Sequence, residues 1–432
     1  MPLRLDASAA DFEARFQAYL DTGRDDEERV DAAVAEIIAR VRGQGDAALL
    51  DYTKRFDRLD LTADKLRIGA DEIAAAVEDC PLDVRAAIDF AATRIETFHR
   101  RQLPEGYSYE DGVGNRLGLR WTAVAGAGLY VPGGRAAYPS SVLMNAIPGK
   151  VAGVDRLVMV VPTPDGVLNP AVLAAAKRAG VDEIYRVGGA QAVAALAYGT
   201  KTIRPVDIIV GPGNAYVATA KRMVFGQVGI DSVAGPSEIL VVSDAASDPA
   251  WIAIDLLSQA EHDPMARSVL IADDAAFADK VAAEVDRALE TLPRAAIAGA
   301  SWRDHGAIIT VPDLGAAVPL IDRIAPEHLE LAVADPHALA AKVRNAGAVF
   351  LGRHSPEAVG DYVAGPNHVL PTSGAARYAS GLGVLDFMKR TTMIDCSAEG
   401  VAAIGPSALA LAEAEGLGAH ARSVAVRLGK NR

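Results

Sequence analysis

The sequence predicts an α/β protein built on parallel sheets, and three observations carry that expectation. From about Leu117 short apolar runs appear, at Ala123–Val131, Leu157–Val161, Glu183–Val187, Asp207–Val210 and Glu238–Val242. Alanine-rich helical stretches such as Pro170–Ala179 and Ala190–Tyr198 separate several of them. Apolar strands alternating with helices are what a sheet covered on both faces requires. Glycine and proline then cluster at the strand ends, in 126–134, 187–193, 210–217 and 234–238. A second pass follows, with strands at Ser268–Ala272, Ala307–Val311 and Ala346–Leu351 and a helix at Ala275–Leu292. The expectation is two α/β units, with ligands at the carboxyl ends of the strands.

Composition bounds the rest. A chain of 432 residues is long for one core. Half the residues are hydrophobic, and the formal charge of −13 without any Lys/Arg block argues against a nucleic-acid surface. The start, MPLRLDASAADF, has no apolar h-region. No window approaches the roughly 18 apolar residues of a membrane span. A soluble, cytoplasmic protein is expected. Cys80 and Cys396 make no disulfide framework, and neither has a nucleophile's setting. Of eight histidines only His99 precedes residue 262, so imidazole chemistry must lie in the C-terminal half.

In chain order, residues 1–104 read as helical packing elements, with Asp25–Arg42 the clearest. Asp248 caps the next distinctive helix, with Pro249 at its first position and Pro264 ending it. Gln259 and His262 share its C-terminal face and could hold a divalent metal. Q-x-x-H is not a specific ligand pattern, so an ordinary capping amide and polar histidine stand beside that reading. The glycine loops suit a phosphate or a tight turn equally, and none has the G-x-G-x-x-G form. Tyr130, Gln191 and Asn214 are their polar side chains best placed to touch a nucleotide. Pro326 fits the first position of a short helix, placing Glu327 and His328 in its first turn. A neutral His328 there would be a competent base, and a solvated helix start is the plain alternative. Asp361 and His368 border a Gly/Pro-rich turn. Asp361 could give a hard oxygen ligand or an Asx-turn. The tail from Lys389, with a helix at Pro406–Glu415 and then His420, is too small to bury its own core and must dock.

Taken together, LYVPGGRAAYPSSVLMNAIPGKVAGV, VGGAQAVAALAYGT, VGPGNAYVATAKR, AGPSEILV, LSQAEHDPMARSVLI, APEHLEL, GDYVAGPNHVLPTSGAARYASGL and AEAEGLGAHA resemble the histidinol dehydrogenase family. LSQAEH, APEHLE and GPNHVLPT are the specific ones. The resemblance implies two incomplete Rossmann-like domains, which do not use the missing glycine fingerprint, and a C-terminal tail exchanged in a homodimer. Residues 26–129 and 239–382 would form the metal and catalytic domain, and 130–238 the NAD domain. Residues 1–25 would pack on the NAD domain, and 383–432 would be the exchanged tail. It implies an NAD-dependent enzyme with one Zn2+ per subunit that takes L-histidinol through L-histidinal to L-histidine. Gln259, His262, Asp361 and His420 match the metal ligands, His420 arriving from the other subunit. Glu327 and His328 match the catalytic pair, His328 as base and Glu327 activating water. Ser237 and Glu415 match substrate-binding positions, alongside Gln259, His262, His328, Asp361 and His420. Tyr130, Gln191 and Asn214 match NAD contacts. A related zinc and NAD dehydrogenase acting on a sulfonated diol is the nearest alternative. The carboxylate of Glu415 favours a cationic amino alcohol over it.

Overall fold

A computed structural model describes residues 1–22, 28–133 and 138–430. The predicted helix start at Asp25 and the loop residue Gly134 lie outside these. The chain divides into a larger unit, residues 1–102 and 125–387, and a smaller one, residues 103–124 and 388–432.

The larger unit holds two parallel sheets among the described residues. One has the order Leu3–Asp6, Ala307–Thr310, Arg267–Ala272, Glu238–Ser243, His328–Ala332, Ala348–Leu351. The other has the order Glu183–Tyr185, Arg156–Val160, Gly126–Tyr130, Ile208–Val210, Gly229–Ile230. Their central strands are buried along their length, as at Ile239–Ser243 and Leu157–Val160. That is why they read as continuous apolar runs rather than alternating ones. The α/β class and the two-pass organisation follow the sequence closely; the helix Pro170–Ala179 has the predicted bounds.

Three expectations are corrected. Of residues 1–25, the described residues 1–22 pack with the other sheet and not on the 130–238 sheet. Their strand Leu3–Asp6 extends the other sheet, giving its backbone groups to Ala307–Thr310. Within 26–129, helix Glu28–Gln44 packs with the 130–238 sheet instead of with 239–382. Val34, Ile37, Ile38 and Val41 on helix Glu28–Gln44 form one apolar stripe, buried in the same core as Tyr130, Val158 and Val193. Helix Leu82–Arg100 packs on Pro139–Ala152 and Pro170–Ala179.

The tail holds more than the single expected helix Pro406–Glu415. Met388–Asp395 is a strand, paired antiparallel along its length with Arg116–Ala123, which also pairs with Tyr107–Glu110. The helix after it runs Ala398–Ala414, capped by Ser397. It therefore begins eight residues before Pro406 and continues through it, giving up the one backbone donor that proline lacks. Among the described residues no helix is long and apolar enough to cross a membrane.

Candidate active site

The site grows from the junction of two strands and two helices. Helix Pro249–Ala260 starts as expected, with the Asp248 side chain accepting from Ala250 N. Its last turn carries Gln259, which is buried. His262 lies two residues past the helix end, exposed, with its backbone N–H on the Gln259 carbonyl.

Glu327 and His328 do not sit in a helix turn. Ala325 adopts the left-handed conformation (φ 48°) and ends helix Ala317–Ile324, after which the chain extends. His328 opens the strand His328–Ala332, in register with Ile239 on one side and Ala348 on the other. The alternation of Leu329 and Leu331 with Glu330 carries that strand, and the left-handed residue before Pro326 is what the helix expectation overlooked. His328 is therefore kept neutral by burial and not by a helix pole: loss of solvent lowers its pKa below the ordinary value.

Its hydrogen bonding fixes the tautomer. Nδ1 lies 3.0 Å from the Glu238 carbonyl oxygen, which can only accept. Gln259 Nε2 is farther, at 3.3 Å, and donates to Glu357 at 2.8 Å. Nδ1 therefore carries the proton and donates to Glu238. Nε2 is then bare, buried, and without a hydrogen-bond partner among the described residues. Glu327 Oε2 accepts from Glu238 N at 2.9 Å and lies 3.7 Å from His328 Nδ1. Burial, with the negative charges of Glu238, Asp361 and Glu357, raises the Glu327 carboxyl well above the usual range. Such a carboxyl is a stronger base than an exposed one.

Helix Glu357–Tyr362 supplies the opposite wall. Glu357 and Asp361 stand four apart on one face. Their oxygens lie 3.8 and 3.9 Å from His328 Nε2. His328, Glu357 and Asp361 bring one ligand atom each within 4.8 Å of one another. Asp361 is pushed up to about 9 by burial and by Glu357 beside it. Crowded buried carboxylates of this kind call for a cation. Gln259 Oε1, buried and unpartnered among the described residues, adds a neutral oxygen donor. A divalent metal fits this donor set.

His368, noted in the sequence only as a loop histidine, belongs here too. Its Nδ1 is 3.0 Å from the Asp361 carbonyl, and burial lowers its pKa to about 4. A cavity of about 510 Å³ is lined by His328, Phe350, Asp361, Asn367 and His368 among others. Glu357 is the residue that sequence reasoning missed, because its role shows only against the Gln259 amide that folds onto it. Ser237 is half-buried and immediately precedes strand Glu238–Ser243.

The other sheet gathers the predicted nucleotide residues at its carboxyl ends. Tyr130 ends its strand, Gln191 is in the first turn of helix Gly189–Tyr198, and Asn214 caps helix Ala215–Val224. Tyr130 and Gln191 are buried, and the Tyr130 hydroxyl accepts from Gly189 N at 3.0 Å. They build the loop floor, whereas Asn214 is exposed. Gly211 (φ 113°) crosses so close to Tyr130 that a Cβ would meet its carbonyl oxygen at 2.2 Å. Glu415 and His420 lie in the smaller unit, both exposed, His420 on helix Gly418–Arg427.

A buried imidazole with one bare nitrogen, flanked by carboxyls under an α/β sheet, defines an enzyme of acid–base chemistry. The histidinol dehydrogenase family model matches residues 20–428. The histidinol dehydrogenase of Rhodospirillum rubrum is 66% identical over 431 residues, covering 100% of this chain and 99% of that one. That of Ruegeria pomeroyi is 62% identical over 430 residues, covering 100% and 99%. The crystal structure of histidinol dehydrogenase from Elizabethkingia anophelis superposes with a TM-score of 0.94 at 35% identity, covering 99% of this chain and 98% of that one. The chain belongs to the histidinol dehydrogenase family and is an oxidoreductase.

Proposed function

We propose that the enzyme oxidises L-histidinol through L-histidinal to L-histidine, using NAD and one Zn2+ per subunit, in a homodimer with shared sites. The observation that carries the chemistry is the bare, buried Nε2 of His328, held as a base by the Nδ1–H bond to Glu238. Gln259, His262 and Asp361, with His420 from the other subunit, would hold the zinc. Bound there, zinc would supply orientation of the substrate. The loops of Tyr130, Gln191 and Asn214 would hold NAD, which supplies the two-electron acceptor for each step.

His328 Nε2 removes the alcohol proton as the substrate carbon gives up hydride. As water attacks the aldehyde carbon, Glu327 takes a proton from that water and His328 gives its own proton to the aldehyde oxygen. The hydrate is then neutral and His328 is a free base again. The resulting hydrate is again an alcohol-like hydride donor, and His328 serves as its base. No covalent thiol intermediate is needed. Ser237 and Glu415 would contact the substrate, the Glu415 carboxylate suiting a cationic amino alcohol. The test is the rate of NAD reduction by the zinc-loaded dimer with L-histidinol and with a sulfonated diol. Turnover of L-histidinol is expected; turnover of the diol alone would overturn the assignment.

A further inference from the structure

Gln259 is the weak point of any metal site built here, because an amide has two ends. Only the oxygen end can ligate. A flip of the side chain would present NH2 to the cavity and swing Oε1 toward His328 Nδ1, which lies 3.3 Å from the present Nε2. One flip would thus take the oxygen donor out of the metal's reach.

The structure holds the amide against that flip at one point. Gln259 Nε2 donates to Glu357 Oε1 at 2.8 Å. Ser258 Oγ lies 3.1 Å from the other oxygen, Oε2, with its hydroxyl donated to the closer Asp255 carbonyl at 2.7 Å. Glu357 is 2% exposed, so its bond to Gln259 does not compete with bulk water. With the nitrogen end tied down, Oε1 of Gln259 is left buried and unpartnered among the described residues.

We propose that Glu357 is a positioning residue: its carboxylate accepts from the Gln259 amide, fixing that side chain with its oxygen free to ligate. This rests on the reading of Gln259 as a zinc ligand. Glu357 also stands among the acidic groups around His328, so the test below separates orienting Gln259 from ligating in its own right. Outer partners that orient a ligand are typically worth about 10–100-fold in metal affinity.

The test is the zinc affinity of the full-length enzyme, measured by competition with a chromophoric chelator. Glu357→Leu should weaken zinc binding by about 10–100-fold. In a Gln259→Ala background the same substitution should cost nothing further, because the side chain it orients is gone. Glu357→Gln, whose own oxygen can still accept from Gln259, should keep most of the wild-type affinity. Equal losses from Glu357→Leu in both backgrounds would overturn the positioning role and make Glu357 a direct contributor. Loss in Glu357→Gln as deep as in Gln259→Ala would also overturn it, and this arm stands if Glu357→Leu does not fold. Unchanged zinc affinity in Gln259→Ala itself would overturn the underlying ligand assignment instead.

Discussion

The imidazole of His328 donates through Nδ1 to the backbone carbonyl of Glu238 across adjacent parallel strands, at 3.0 Å. The register that pairs His328 with Ile239 makes this bond part of the sheet. The tautomer of the base is therefore set by the fold and does not depend on a mobile partner.

Replacing that imidazole removes the base and leaves the sheet. His328→Asn should lower kcat by about 10²–10⁴-fold, the usual worth of a positioned base. Metal content and dimer formation should persist. Steady-state kinetics with metal analysis check this, and substantial residual turnover would remove His328 as the base.

His99 sets a pH limit on stability, away from the site. It is fully buried on helix Leu82–Arg100, bonded to the Ile95 carbonyl at 2.8 Å, and burial lowers its pKa. The unfolded chain protonates near pH 6.5 while the native one resists, so the unfolded state binds more protons below that point. The stability from a neutral His99 is thus present above about pH 6.5 and is lost as pH falls below it, by at most about 1.4 kcal/mol per unit. Urea midpoints at pH 7.5 and pH 5.5 should differ less in His99→Gln than in the native protein. Identical pH dependence in the two would refute the assignment.

The shared-site proposal can be read from mixed subunits. His328→Asn and His420→Ala homodimers should both be inactive. Their heterodimer holds one site with both residues native, so mixing should restore part of the activity. Verified heterodimers that stay inactive would rule out His420 arriving from the other subunit.

Much of the architecture was legible because buried parallel strands and alanine-rich helices leave distinct periods in the sequence. What escaped was set by long-range pairing. The strand Leu3–Asp6 becomes a strand through Ala307–Thr310, some 300 residues away. Likewise Met388–Asp395 depends on Arg116–Ala123. At the site, Gln259, Asp361, Glu327 and His328 were all named from sequence, and the fold brings these four together. Glu357 was invisible for a different reason. Its role is read only against the amide that folds onto it, and a glutamate in a helix's first turn is common on dipole grounds alone. Pro326 misled in the opposite direction, because a proline opening a helix and one opening a strand look alike without the left-handed Ala325 before it.

The most direct test of the central claim is the number of NADH formed per molecule of L-histidine, with L-histidinol as sole substrate and zinc present. Two NADH per histidine, with no free aldehyde, is the predicted result: one base serving two oxidations around a water activated by Glu327. One NADH with L-histidinal released would contradict the second half-reaction and the role given to Glu327.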